Sequence, residues 1–313
     1  MNKGIGVRML FTLVILAMSL CVFPTAAAAR GIDGYDTTAH VLPHGVEFTD
    51  GVITYNLPPV SNKSVWAHQR LTVNVNNTTL GEVGLVINGI TYLPLRAVAN
   101  ALGLYATYNS ATRTMTVSGG GLYLTATDGG FVTYANDRPL FSFSPNVIMS
   151  NGRMYIPASA FTKALGMTFT LSGDRVSVDG KYRPLLPASE FYREDEVLWL
   201  ARIITAEAGG ESLLGQIAVG DVILNRVRSQ SFPNTIYGVI FDRKWGIQFS
   251  PVANGTIYNS PTYTAILAAR ICLEGTSLSD DAMYFLNPSI STSSWIVDNR
   301  PYAYTIGNHY FFL

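Results

Sequence analysis

Cysteine and histidine are scarce in this chain of 313 residues, which carries two cysteines and four histidines (His40, His44, His68 and His309). Two thiols cannot staple a disulfide scaffold or complete a cysteine-rich zinc site, and the scattered histidines show no paired ligand spacing. Charge is low as well: 13% of residues are charged, and 21 basic side chains balance 21 acidic ones. A nucleic-acid binder needs a basic stripe to displace counterions, so that class is excluded. No G-x-S-x-G elbow occurs, which argues against an α/β-hydrolase serine. What is abundant is apolar: 48% of residues, enough for packed cores, in a length that suits about two domains of roughly 100–200 residues.

The first 29 residues read as a secretory signal. Lys3 and Arg8 supply a basic start, Met9 to Phe23 is an apolar run, and Ala26 to Ala29 offer a small-residue cleavage site. The run is shorter than the roughly 20 residues that span a bilayer, so cleavage is expected rather than stable membrane insertion. Leu20 before Cys21 does not suit a lipoprotein signal. Cleavage would leave Cys272 alone, with no intrachain disulfide, in a secreted protein. Residues 30–66 read as an extended leader broken by Pro43, Pro58 and Pro59.

An internal repeat follows. Gly89-Ile90-Thr91-Tyr92-Leu93-Pro94-Leu95 through Ala101-Leu102-Gly103 recurs as Gly152-Arg153-Met154-Tyr155-Ile156-Pro157-Ala158 through Ala164-Leu165-Gly166. Each copy reads as a strand, a proline at a helix start, a short amphipathic helix, a glycine stop and a hairpin, and two such units are expected to share a core. Residues 67–180 resemble the stalk domain found at the N-terminus of copper amine oxidases, which implies a spacer or wall-associated module. Despite that name no metal cluster is evident. Residues 181–195, with Pro184 and Pro187, read as a linker.

From Glu194 the pattern turns helical. Acids at Glu194, Asp195 and Glu196 suit a helix start, and Gly209-Gly210 ends the run. Counting back from Glu207 by three, four and seven gives Ile204, Ile203 and Leu200, so this carboxylate projects from the apolar stripe. Desolvation and the negative helix end would both raise its pKa, as a general acid working near neutrality requires. The rival reading is a glutamate whose tip escapes to solvent at a frayed helix end. Glu211, just before a second helix from Ser212 to about Val227, has an ordinary explanation in capping, and Gly215 and Gly220 would allow close helix contact. Cys272 could pair with His309 as a nucleophile, but its apolar helical surroundings favour a packing role.

The strings Ala206-Glu207-Ala208-Gly209-Gly210-Glu211, Gly215-Gln216-Ile217, Val222-Ile223-Leu224-Asn225-Arg226-Val227, Gln248-Phe249-Ser250-Pro251, Phe285-Leu286-Asn287-Pro288, Trp295 and Gly307-Asn308-His309 resemble, in order, the SleB/CwlJ-type cell-wall hydrolases. The resemblance covers residues 196–313. It implies an α+β protein overall: the tandem strand–helix–hairpin module, then a mainly helical, lysozyme-like catalytic domain with short strands. It further implies cleavage of peptidoglycan between N-acetylmuramic acid and N-acetylglucosamine, with Glu207 as the single acid–base and no metal or organic cofactor. Lytic transglycosylation giving 1,6-anhydro-muramic ends is the first expectation. A hydrolytic muramidase, an amidase on the same polymer and an inactive wall-binding protein are the alternatives. Hydrolysis would want a second acid, for which Asp221, Asp242 and Asp298 are available. Substrate contacts are expected from Gln248, Phe249, Ser250, Asn225, His309 and Glu211, with Tyr284, Phe285, Trp295 and Tyr304 against sugar faces. The expected partner is the glycan strand, and the expected location is the cell wall or spore envelope. Two departures are visible: relatives often carry Arg where Gly209 or Gly210 stands, and the germination enzymes often carry a different wall-binding module, so a spore-cortex role is not implied.

Overall fold

The computed structural model describes residues 47–49, 52–54, 69–142, 147–291 and 293–313. The expected signal segment and most of the leader lie outside the described residues, apart from a short hairpin, β1 (Glu47–Thr49) and β2 (Val52–Thr54).

The repeat organises the first module. Copy one is β5 (Ile90–Pro94), α1 (Leu95–Ala101), β6 (Tyr105–Asn109) and β7 (Thr114–Gly119), preceded by β3 (Gln69–Val75) and β4 (Thr78–Ile87). After β8 (Leu122–Thr127), β9 (Val132–Ala135), β10 (Arg138–Phe141) and β11 (Ile148–Ser150), copy two is β12 (Arg153–Pro157), α2 (Ala158–Leu165), β13 (Thr168–Ser172) and β14 (Arg175–Asp179). The two Tyr-x-Pro strands pair antiparallel, Tyr155 opposite Pro94 and Pro157 opposite Tyr92, so the copies meet along one ladder. Both prolines stand immediately before their helices, where a missing N–H costs nothing. Leu93, Leu95, Val98, Ile156, Phe161 and Leu165 fill one shared core.

The copies part at their hairpins. β13 and β14 join a seven-stranded sheet, β11-β12-β5-β4-β3-β14-β13, by a parallel pairing of β14 with β3. β6 and β7 instead close a five-stranded sheet, β10-β9-β8-β7-β6.

Residues 181–195 are bound along the module. Arg183 and Leu185 donate backbone N–H bonds to Leu165 and Ala164, and the Tyr182 hydroxyl donates to Gly119. The Asn136 amide donates to the carbonyl of Leu185, and a short helix, α3 (Ala188–Phe191), follows.

The second module is mainly helical, as expected. It comprises α4 (Glu194–Ala208), α5 (Leu213–Arg228), α6 (Ile236–Ile240), α7 (Ser250–Asn254), a 3-10 turn at Thr256–Tyr258, α8 (Tyr263–Leu273) and α9 (Trp295–Asn299). A small antiparallel sheet joins them, ordered β15 (Tyr284–Leu286), β17 (His309–Phe312), β16 (Tyr302–Ile306). α4, α5 and α8 pack on one another through Leu200, Ile203, Ile204, Ile217, Ile223, Ala268 and Cys272. Gly220 permits that approach: a Cβ there would lie 2.7 Å from the Cys272 sulfur and 3.1 Å from Ile204 Cδ1.

The modules dock along α8. Val132 and Phe141 of the β9–β10 hairpin pack on the helical core. At the end of α8, the Glu274 side chain is 1% exposed and holds Arg138 through two bonds of 2.7 and 2.9 Å, Lys163 at 2.9 Å and the Tyr192 hydroxyl at 2.5 Å. Arg138 also lies over the Phe191 ring. Burial would raise the Glu274 carboxyl, but hydrogen bonds from Arg138, Tyr192 and Lys163 outweigh it and hold the group below its ordinary value.

Candidate active site

α4 places Glu207 in its last turn, on the stripe of the buried Ile203 and Ile204 three and four residues before it. Ala208 beyond it is buried and Gly209 and Gly210 are exposed, so the carboxyl sits where apolar core meets solvent. Among the described residues it has no hydrogen-bond or ion-pair partner. Burial alone raises its pKa from 4.5 to about 7. A proton is therefore retained near neutrality because the anion would be poorly solvated, which is the condition a general acid needs. The last turn is also fixed: Thr262, the N-cap of α8, donates its backbone N–H to Thr205 Oγ1 at 3.0 Å.

Asp221 has a similar value for a different purpose. Burial pushes it from 3.8 to about 7, while a 2.6 Å bond from the Leu278 N–H works against that rise. It is 2% exposed, on α5 beside Cys272, so no polymer reaches it. Glu207 is partly open and Asp221 is closed.

Glu211 is occupied. Its carboxylate accepts the Asn308 backbone N–H at 3.2 Å and the Asn308 side-chain amide at 2.8 Å, with His309 Nδ1 at 3.7 Å. Gly307, at φ 56, closes the β16–β17 turn so near to it that a Cβ would strike the carboxylate. The capping role expected for Glu211 belongs instead to Ser212, whose hydroxyl accepts from the Gly215 N–H. Glu211 thus straps the C-terminal hairpin to the start of α5.

The other expected contacts divide. Ser250 is exposed at the first position of α7, and Gln248 is partly buried with its amide donating to Gly246 within its own loop. Phe249 is 3% exposed, packed near Phe285 and under Arg226. Asn225 is buried too. Its amide donates to Ser279 and Ala282 and its oxygen accepts from Arg228, so its hydrogen bonds hold a loop. His309 is buried edge-on to Phe285, and burial lowers its pKa while Glu211 opposes that fall. Tyr304 is buried and stacked on Phe311, whereas Tyr284 and Trp295 flank Arg300 at the surface. Cys272 is sealed in the core with its thiol pushed well above its ordinary value and directed at Ile217, which removes the cysteine-nucleophile alternative.

Sequence reasoning missed the buried Arg226, which donates Nε to Met283 and lies among Phe232, Phe249 and Tyr284, where burial lowers it to about 10. It also missed an aromatic group of Trp199, Tyr237, Phe241 and Tyr258. The cue for Arg226 is its place on the apolar face of α5; the aromatic group comes from separate elements and leaves no local pattern. Among the described residues no three potential metal ligands converge, and no helix is long and apolar enough to cross a membrane.

The second module thus sets a desolvated glutamate at a helix end beside a three-helix core. Residues 210–312 match the family described as Cell Wall Hydrolase, and residues 72–179 match the Copper amine oxidase N-terminal domain. Glu207 lies just before the matched stretch. The spore cortex-lytic enzyme of Bacillus cereus is 42% identical over 120 residues, covering 38% of this chain and 45% of the relative. That of Bacillus subtilis is 40% identical over 120 residues, covering 38% of each. The chain therefore spans less than half the length of these curated relatives. The solved catalytic domain of the germination-specific lytic transglycosylase SleB from Bacillus anthracis is 41% identical, over 41% of this chain and all of that one, with a TM-score of 0.36.

Proposed function

We propose that this protein cuts peptidoglycan glycan strands outside the cell, in the wall or spore envelope, as a lytic transglycosylase with Glu207 as acid and base. The observation that carries the reading is the partly open, partner-free carboxyl of Glu207, held protonated by burial near pH 7. The resemblance to cell-wall hydrolases supplies the substrate class. Glu207 gives its proton to the glycosidic oxygen as the bond from the muramic C1 breaks, leaving an oxocarbenium-like centre. The resulting carboxylate takes the proton from the muramic 6-hydroxyl while O6 bonds to C1. The product is a 1,6-anhydro end, and Glu207 regains its proton.

The three aspartates available as a second acid are already engaged, which supports this route over hydrolysis. Asp221 is enclosed and bonded to Leu278, Asp242 accepts the N–H of Lys244 in its own loop, and Asp298 accepts the Ser294 hydroxyl in its own helix. A hydrolase of the two-carboxylate kind would need one of them facing the sugar opposite Glu207. The test is mass spectrometry of muropeptides released from purified sacculi. Anhydro-muramic ends are expected, and none should appear with Glu207→Gln. Reducing muramic ends would replace the proposal by hydrolysis, and freed stem peptides by an amidase.

A further inference from the structure

The five-stranded sheet has one face in the core and one turned outward. Met115, Val117, Leu122, Leu124 and Ala126 point inward and are buried. Strand alternation turns the intervening residues out. In register across the sheet lie Thr107, Thr116, Thr125 and Tyr134, one from each of β6, β7, β8 and β9. Beside them, Tyr105 and Tyr123 are 76% and 57% exposed. No residue of β6, β7 or β8 is charged. Threonine suits strands in general, so hydroxyls alone would mean little. A solvated face whose strands carry no charge and that bears two large exposed rings is a different matter, because contiguous exposed apolar surface marks a place of interaction.

The face is also continuous with the catalytic module. Val132 and Phe141, at its far end, are covered by the helical core. There the Tyr134 hydroxyl meets that of Tyr263, the exposed first residue of α8. The residue before Tyr263 is Thr262, which binds the last turn of α4 two residues from Glu207. The Glu274 cluster fixes this junction, so sheet face and catalytic helix belong to one body.

We propose that this uncharged threonine–tyrosine face is a second glycan-binding surface, taking a further stretch of the N-acetylated polysaccharide that the catalytic module cuts. The inference rests on the peptidoglycan reading above. Hydroxyls recurring at the strand spacing of about 4.8 Å offer a row of donors and acceptors to sugar hydroxyl and acetamido groups. Tyr105 and Tyr123 offer apolar faces to pyranose rings. Because the modules are joined through the buried Glu274 cluster, binding at the face raises the local concentration of strand at Glu207.

The test uses the full chain carrying Glu207→Gln, so that binding is read without turnover. Its affinity is measured by sedimentation with sacculi stripped of both stem peptides and anionic wall polymers. Adding Thr116→Glu, or Tyr123→Ser, should weaken binding about tenfold, while Leu171→Glu on the other sheet should leave it unchanged. Tyr105→Ser on the edge strand replaces Thr116→Glu if thermal unfolding shows that the latter fails to fold. Unchanged binding in the face variants overturns the proposal, as does a parent protein that binds only sacculi still bearing anionic polymers. Face-dependent binding together with no muropeptide release by the wild type would remove the cleavage reading and leave the surface standing.

Discussion

A desolvated acid destabilises the fold that holds it once it ionises, and this gives Glu207 a signature independent of any substrate. Burial raises the carboxyl from 4.5 to about 7. The folded state therefore binds its proton more tightly than the unfolded chain, and stability falls as pH rises between those values. At about 1.4 kcal/mol per pH unit, ionisation should cost about 3 kcal/mol of stability at pH 8 and almost nothing at pH 4. Glu207→Gln replaces the acid by a neutral side chain of the same shape and removes that cost. The variant should be more stable than wild type by about 3 kcal/mol at pH 8 and nearly equal to it at pH 4. Urea unfolding of both proteins across that range is the assay, and contributions from Asp221 and Glu274 cancel in the difference. A gap that stays constant with pH would mean that Glu207 is solvated in the folded protein, and the assignment of the acid would fail. The same titration predicts that kcat/KM falls as pH rises through about 7, since only the protonated form can start the reaction.

Three other outcomes follow from the packing. Glu274→Gln leaves Arg138 and Lys163 without their buried counter-charge, which should cost about 3–5 kcal/mol and split thermal unfolding into two transitions. Because the Glu274 carboxyl is held below its ordinary value, its contribution is complete above that value and is lost as pH falls through the folded one; small-angle scattering in acid should show the modules separating. Gly220→Ala should cost about 1–3 kcal/mol by forcing a methyl against the Cys272 sulfur, and calorimetry of the double variant with Cys272→Ala should recover part of it. Glu211→Gln should loosen the 307–309 turn, losing about 1–3 kcal/mol, yet retain measurable muropeptide release, whereas Glu207→Gln retains none.

Much of the fold was legible because it is local or periodic. The repeated Tyr-x-Pro strings announced two equivalent strands, and they pair with each other. The stripe Leu200, Ile203, Ile204 announced where Glu207 would point, and burial is the cause of its raised pKa. The destination of each hairpin was not legible, since identical local patterns enter different sheets according to which edge is free. Nor was the docking of the modules: Glu274 meets Tyr192, Lys163 and Arg138, which are 82, 111 and 136 residues away, and charges so separated leave no period to detect.

Within the site, the motif strings include residues already engaged inside the protein. Asn225 and Phe249 stand in strings that resemble a catalytic family, and a motif reports that a residue matters without saying to what. Asn225 has two carbonyls and a guanidinium within bonding distance, so its amide is already satisfied and a sugar would have to displace three protein bonds. Glu207 differs in having no such competitor among the described residues. An unpaired acid at the edge of a core costs stability at every pH above its own value, and removing it would be favourable for folding alone. On the proposed reading the proton it keeps is put to use, so the stability gain expected for Glu207→Gln and the loss of muropeptide release should appear together in the same variant.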